Sequence, residues 1–487
     1  NTKPGYSLPC GLWNDYVPEH VSNRNTSRQQ LDSGGEFIGG CADHCKQRDH
    51  FVCLIPDAGR ETLMEHSEKT NFTGLLKKIL VNNAVTILFV VICIAGIVLA
   101  DQPMPYVVGE ISSRLFRNLI LILALLVPVW AGMGMNFSIV LGAMAAQIGI
   151  MVSMNFSVTG VVGLVLAFIV SVPLSLFFGN LTGRLFNHTK GQEMITGMIL
   201  GFFAKGVYDL VFMFLCGPVI PVKNQTLLLP NGIGLTTPIN LDGETKGAMN
   251  KLWTISLEKA LYIILILATV FFVGQLIFKM KKEKIDWKKQ YKLYIAVFSL
   301  VGYHILLTVS ETVRFALNFT DVPVVTGLLI GAVGLAINFL SRTKLGSDIH
   351  AVGQSQTIAV SMGIPADKIR IMAIMISTLL AALGQLVFIQ DIGNFTTYTA
   401  HENVGTFSIA ALLVGGASIK KANIGHAILG ALLFHTMFII SPLAGKNLFD
   451  NAQLGEYFRV FVCYAVIAVA LALHAWKQIM AKKAEDN

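Results

Sequence analysis

Lys205 and Asp209 stand four residues apart inside one long apolar run, so on a helix they share a face and can pair. Ionisable groups at membrane depth are costly and turn toward a bundle interior or a water-filled cavity. Two roles fit: a neutralised pair that packs, or the lining of a polar path. Gln147, Asn338 and Gln385 are lone polar residues in other apolar runs, suited to an interhelical hydrogen bond or to contact with a polar solute. Gln192-Glu193, at the head of the Lys205 run, reads as a cap or anchor for that helix. His401-Glu402 falls in a connection with no second histidine near it. A His-Glu-x-x-His pair and a Gly-x-Ser-x-Gly elbow are both missing, so hydrolysis has little support. The sequence also lacks a Gly-x-x-x-x-Gly-Lys-Ser/Thr cradle, which excludes nucleotide binding of the P-loop kind.

Four of the seven cysteines crowd the first 53 residues. Cys41, His44, Cys45, His50 and Cys53 are zinc-ligand types. Their spacing fits no paired-ligand pattern and no second cluster completes it, so no metal site is expected and the segment reads as unstructured chain. Cys93, Cys216 and Cys463 lie within apolar runs as small buried hydrophobes.

The elements that must carry these residues follow from composition. Of 487 residues, 54% are hydrophobic and 14% charged, with mean hydropathy +0.63. Soluble chains carry about 25% charged residues. About ten to twelve apolar runs approach the roughly 20 residues a spanning helix needs. The expected fold is all-α, a polytopic integral membrane protein with about 10–12 transmembrane helices, some short or re-entrant. This excludes a soluble enzyme, a secreted disulfide scaffold and a disordered chain. The formal net charge of +8 comes without a basic groove interleaved with aromatics, so the expected surroundings are a lipid bilayer and not nucleic acid.

Residues 1–75 read as a polar, flexible extension, 76–480 as the membrane domain and 481–487 as a short tail. Seven lysines between Lys279 and Lys292 fix that side of the membrane as cytoplasmic. Alternating outward from there places Arg184/Lys190, Arg342/Lys344/Lys368/Arg370, Lys420/Lys421 and both termini inside. The acid-bearing loops at Asp101, Asp242/Glu244, Asp391/Glu402 and Asp450/Glu456 fall outside. The runs at Ile139–Met154 and Phe407–Ile419 are short enough to be re-entrant.

The polar connection 341–370 is predicted cytoplasmic, and its stretch Gly346–Ile364 has the pattern of a short helix at the membrane surface. Its apolar residues Val352, Ile358, Val360 and Met362 need a cover, supplied by the protein's own loops or by a partner subunit.

The residues Gly346, Ala351, Val352, Gly353, Gln354, Ala359, Gly363 and Ile364, followed by Ser377, Ala381 and Gly384, resemble the permeases of ribose-type ABC importers. Gly132-Met-Gly134-Met-Asn136-Phe-Ser138 is similar to that family's Gly-Gly-Ile-Asp-Leu-Ser signature, with Asn136 where an Asp is usual. Leu413-Val-Gly415-Gly416-Ala417-Ser418 is similar to its Gly-Gly motif. The resemblance covers roughly 118–476; residues 1–75, the loop Lys223–Asn250 and the lysine-rich connection fall outside it.

It implies a permease subunit for a small polar solute, a sugar first, with a nucleoside or branched-chain amino acid as alternatives. It also implies a separate ATPase subunit gripping the first set of residues, an extracytoplasmic solute-binding protein and a second permease subunit. The chain itself would hold no cofactor, ATP being used by the partner. Asn136, Gln147, Lys205, Asp209, Asn338 and Gln385 are the candidates for the path. A carrier coupled to protons or sodium through Lys205/Asp209 is the alternative of another class.

Overall fold

Every apolar run read from the sequence is helical in the computed structural model, which describes residues 84–241, 245–280 and 291–485. The expectations for residues 1–75 and the Cys41/Cys45/Cys53 cluster, and most of the lysine-rich connection, lie outside the described residues. The helices are α1 (Ala84–Ala100), α2 (Met104–Leu123), α3 (Leu126–Trp130), α4 (Ile139–Asn155), α5 (Gly160–His188) and α6 (Glu193–Leu210). They continue with α7 (Leu257–Met280), α8 (Tyr291–Val309), α9 (Glu311–Phe319), α10 (Val324–Arg342), α11 (Lys344–Gln354) and α12 (Gln356–Ser361). The last four are α13 (Ala366–Ile392), α14 (Val404–Val414), α15 (Ile424–Phe449) and α16 (Ala452–Glu485).

The chain is an all-α polytopic membrane protein. Among the described residues, eight helices are long and apolar enough to span a bilayer. A ninth candidate is the pair α8 and α9, bent by 104° at Ser310, whose hydroxyl caps α9. The shorter apolar helices α1, α4 and α14 complete the set expected from the sequence. With 11 residues, α14 rises about 16 Å, half the hydrocarbon thickness of about 30 Å, which is the short or re-entrant element foreseen there.

Small residues let the centre close. The Cα of Met375 on α13 approaches to 2.8 Å of where a Cβ on Gly179 of α5 would stand, so only glycine admits that crossing. Gly142 on α4 likewise abuts the backbone of Thr378 on α13. Helices α4, α5 and α13 therefore interlock, while α15 gathers α1, α2, α14 and α16 around a second buried cluster centred on Phe434 and Ile409. By contrast, the apolar windows of α6 and α7 are 6% and 0% buried within the chain. Such surfaces face lipid or another subunit.

Among the described residues, four short strands tie the loops at the end of the bundle away from α11 and α12. β1 (Ile239–Asn240) pairs antiparallel with β4 (Asn394–Phe395), and β2 (Thr254–Ser256) with β3 (Asp321–Pro323). Beside them, Asn250 is a hub. Its amide donates to Asp391 Oδ1 at 2.6 Å, and its carbonyl accepts from Thr326 at 2.6 Å and from Gln390 at 3.0 Å. Arg117 Nε completes the network 3.3 Å from Asp391.

Candidate functional site: a polar cleft and its linkage to α11 and α12

Lys205 and Asp209 do share a face of α6, and the predicted pair forms, with Nζ 2.6 Å from Asp209 Oδ2. A third member was not foreseen: Glu402 Oε1, from the connection between α13 and α14, lies 3.2 Å from the same Nζ. The triad borders a cleft of about 600 Å³ between α6 and α16, floored by α4 and α14. Lys205, His401, Glu402, Asn403, Thr406 and Tyr464 supply its polar lining, and Phe137 and Phe202 its apolar walls.

Behind Glu402, His401 is wholly buried and its Nδ1 lies 3.0 Å from Oε1 of Gln147 on α4. Tyr208 of α6 meets the imidazole edge-on at 4.9 Å. Burial pushes the His401 ring down to about 4; the Asp209 charge opposes this and Lys205 adds to it. The ring is therefore neutral at pH 7, so Nδ1 donates to Gln147 and Nε2 keeps a lone pair. His401 Nε2, Gln147 Nε2, Tyr208 OH, Asp209 Oδ1 and Gln385 Oε1 all lack a hydrogen-bond partner among the described residues. Gln385 touches the same loop through Ala400, whose carbonyl accepts from its Nε2 at 3.4 Å. An unpaired donor or acceptor inside a membrane protein is expensive.

Two path candidates lie elsewhere. Asn136 is buried in the break between α3 and α4, accepting from Ser138 N at 3.0 Å and donating to Ser377 at 3.3 Å. It fixes that break to α13, and its neighbour Phe137 is the residue that reaches the cleft. Asn338 is exposed on α10, in a hollow with Trp130 and His350 at the α11 end of the molecule, so it does not join Gln147, Lys205, Asp209 and Gln385.

The stretch Gly346–Ile364 is two helices, where the sequence suggested one. Thr343 caps α11 by accepting from Gly346 N at 3.2 Å, and Ser355, in extended backbone, caps α12 by accepting from Ile358 N at 3.4 Å. Nor is the small-residue face an exposed one. Gly346, Val352 and Ala359 are buried, and Gly353 lies against the carbonyl of Trp130 and the backbone of Gly132. Ala351 and Ile364 are half-buried. Own-chain packing therefore covers one face, and Gln354, Ile358, Val360, Met362 and Gly363 remain exposed. Three stretches singled out in the sequence converge here: Gly132 on Gly353, Gly134 against Ile419, and Trp130 Nε1 donating to Ala422 O at 2.9 Å.

Arg370, placed on the cytoplasmic side in the sequence, is fully buried. Its Nη2 lies 2.5 Å from Glu193 Oε1, and its Nε donates to Asn187 at 3.0 Å. Glu193 is thus an ion-pair partner beyond the cap or anchor expected of it. His401, Glu402, Tyr208 and Arg370 are the residues that sequence reasoning missed. The only signal was a Glu and a His in a loop, whose partners are far away in the chain.

An all-α membrane bundle with a charged cleft on one flank and a capped pair of short helices at one end defines the class of the protein: a polytopic membrane protein with a polar cleft. Residues 246–471 match the family model for "Branched-chain amino acid transport system / permease component". The autoinducer 2 import system permease protein LsrC of Enterobacter sp. (strain 638) is 32% identical over 114 residues, 23% of this chain and 32% of the relative. The fructose import permease protein FruG of Bifidobacterium longum (strain NCC 2705) is 29% identical over 150 residues, 30% of this chain and 42% of the relative. The nucleoside ABC transporter permease protein NupC of Lactococcus lactis subsp. cremoris (strain MG1363) is 28% identical over 165 residues, 34% of this chain and 50% of the relative. The chain thus spans half or less of the length of these curated relatives. Over the matched stretches it is similar to these import permeases, and over residues 246–471 to the family model. No solved structure matches.

Proposed function

We propose that the chain is the membrane-spanning permease subunit of an ABC importer, carrying a small polar solute through the cleft beside Lys205. The observation that carries this reading is the cleft itself. A space of about 600 Å³ has charged and hydrogen-bonding walls, yet opens between helices whose outer faces are apolar. Lipid is a poor cover for Lys205 and Glu402. A second permease subunit, laid against the bare faces of α6 and α16, closes the path. Phe137, Phe202 and Tyr464 offer ring faces to the C–H surface of a solute, and Asn403, Thr406 and Glu402 offer partners to its hydroxyls. A sugar suits that mixture, with a nucleoside next.

The exposed apolar residues Ile358, Val360 and Met362 on and beside α12 form the grip of a cytoplasmic ATPase subunit, which consumes the ATP. An extracytoplasmic binding protein delivers solute to the opposite end, in the cytoplasmic (inner) membrane, with both termini inside. Uptake by proteoliposomes holding the chain, with and without its ATPase and ATP, is the test. Labelled monosaccharides and nucleosides should enter only with both present. Accumulation driven by an imposed proton or sodium gradient through the chain alone would replace this reading with an ion-coupled carrier.

A further inference from the structure

We propose that α6 is a lever, pivoting at Gly197 and driven through the Glu193–Arg370 pair, so that motion at α12 moves Lys205 in the cleft wall and Asp209 beside it. The inference rests on the permease reading. Its basis is how little holds α6 in place: its buried residues are Glu193, Gly197 and Tyr208. Glu193 is bound at one end by Arg370, and its other oxygen accepts from Gly191 N at 3.0 Å. Tyr208 and Lys205 meet the His401-Glu402 loop at the other end. Between them, Gly197 crosses so close to the break before α4 that a Cβ there would stand 3.3 Å from Ser138 N and 3.1 Å from the Phe186 ring. Beside these, Met194 and Ala204 pack partly buried against neighbouring clusters, and the outer face of α6 is exposed.

Arg370 is well placed to deliver the force. It sits in the first turns of α13, directly after α12, and Ala359, Ala366, Ile369 and Phe186 share one buried cluster. A push on α12 therefore reaches the guanidinium through packed side chains, and the guanidinium holds the end of α6 by a short ionic contact. The arms are unequal. Four residues separate Gly197 from Glu193, about 6 Å, and eight to twelve separate it from Lys205 and Asp209, about 12–18 Å. A small shift at Arg370 is thus enlarged about two- to threefold at the cleft. Glu193 and Arg370 are positioning residues, touching no solute themselves.

The test reads the cleft wall directly. The complex with its ATPase is prepared with the seven cysteines replaced by alanine and one cysteine placed at Gly201, which lines the cleft and has open space beyond its Cα. Its reaction rate with a small maleimide is measured with and without a non-hydrolysable ATP analogue. In the parent the analogue should change the rate by about fivefold or more. Glu193→Gln should hydrolyse ATP normally yet lose most of that change, and Glu193→Asp, which keeps the charge on a shorter arm, should fall between. If Glu193→Gln does not fold, Glu193→Asp decides: a reduced response supports the lever and a full response overturns it. A full response in Glu193→Gln, or none in a parent that shows ATP-driven uptake, also overturns it. A parent without ATP-driven uptake overturns the permease reading and the lever with it.

Discussion

His401 and Gln147, 254 residues apart in the chain, meet at 3.0 Å behind the wall of the cleft. The contact ties the connection between α13 and α14 to the middle of α4, so the loop that presents Glu402 to Lys205 is anchored from behind. It also makes the loop sensitive to acid. Unfolded, the His401 ring titrates near its ordinary 6.5; folded, it resists protonation down to about 4. Between those values the unfolded state binds more protons, so folding stability falls as pH drops through that window, by at most about 3 kcal/mol. Thermal midpoints in detergent should fall between pH 7 and pH 5 in the parent, and His401→Gln should flatten that dependence. An equal slope in both would remove His401 from the account.

Lys205 serves two carboxylates, so its loss should hurt more than the loss of either. Lys205→Met leaves Asp209 and Glu402 facing each other uncompensated and should reduce uptake about tenfold or more. Asp209→Ala leaves Lys205 with Glu402 at 3.2 Å and should be milder. Uptake assays at matched expression decide the order.

Gly353 and Val360 lie close together in the chain and should fail differently. A Cβ on Gly353 runs into the Trp130 carbonyl, so Gly353→Ala should displace α11 and cost about 1–3 kcal/mol, seen as a lower melting temperature and folded yield. Val360 is exposed, so Val360→Glu should leave the melting temperature nearly unchanged and abolish co-purification of the ATPase. A stable, fully coupled Gly353→Ala variant would contradict the close contact with Trp130.

Asn250 joins three segments through hydrogen bonds to Asp391, Thr326 and Gln390. Replacing it with alanine should cost about 1–3 kcal/mol, because the three partners lose their bonds together. Differential scanning of the purified protein measures this directly.

Most of the helical layout was legible because it rests on one strong signal, the length and apolarity of each run. The Lys205–Asp209 pair was legible for a related reason: residues four apart on a helix must be neighbours. The rest of the site depends on contacts between distant segments. Nothing in the local sequence links Glu402 to Lys205 or Arg370 to Glu193, since neither pair shares an element. Charge pattern placed Arg370 on the cytoplasmic side and gave no sign that its guanidinium is buried. At Gly353 the small-residue pattern left open whether the protein's own loops or a partner cover it. It marks the place where α11 approaches the backbone of Trp130. Asn338 shows the converse, a polar residue in an apolar run that faces outward near the helix end.

Single cysteines at Met362 and Thr399, both exposed, test most directly that α12 faces the cytosol and the connection between α13 and α14 faces out. With a membrane-impermeant maleimide, the cysteine at Met362 should react in inside-out vesicles and stay silent in intact cells, and the one at Thr399 should do the reverse. Labelling at Met362 from the outside of intact cells would place α12 on the wrong side for any ATPase and contradict the account.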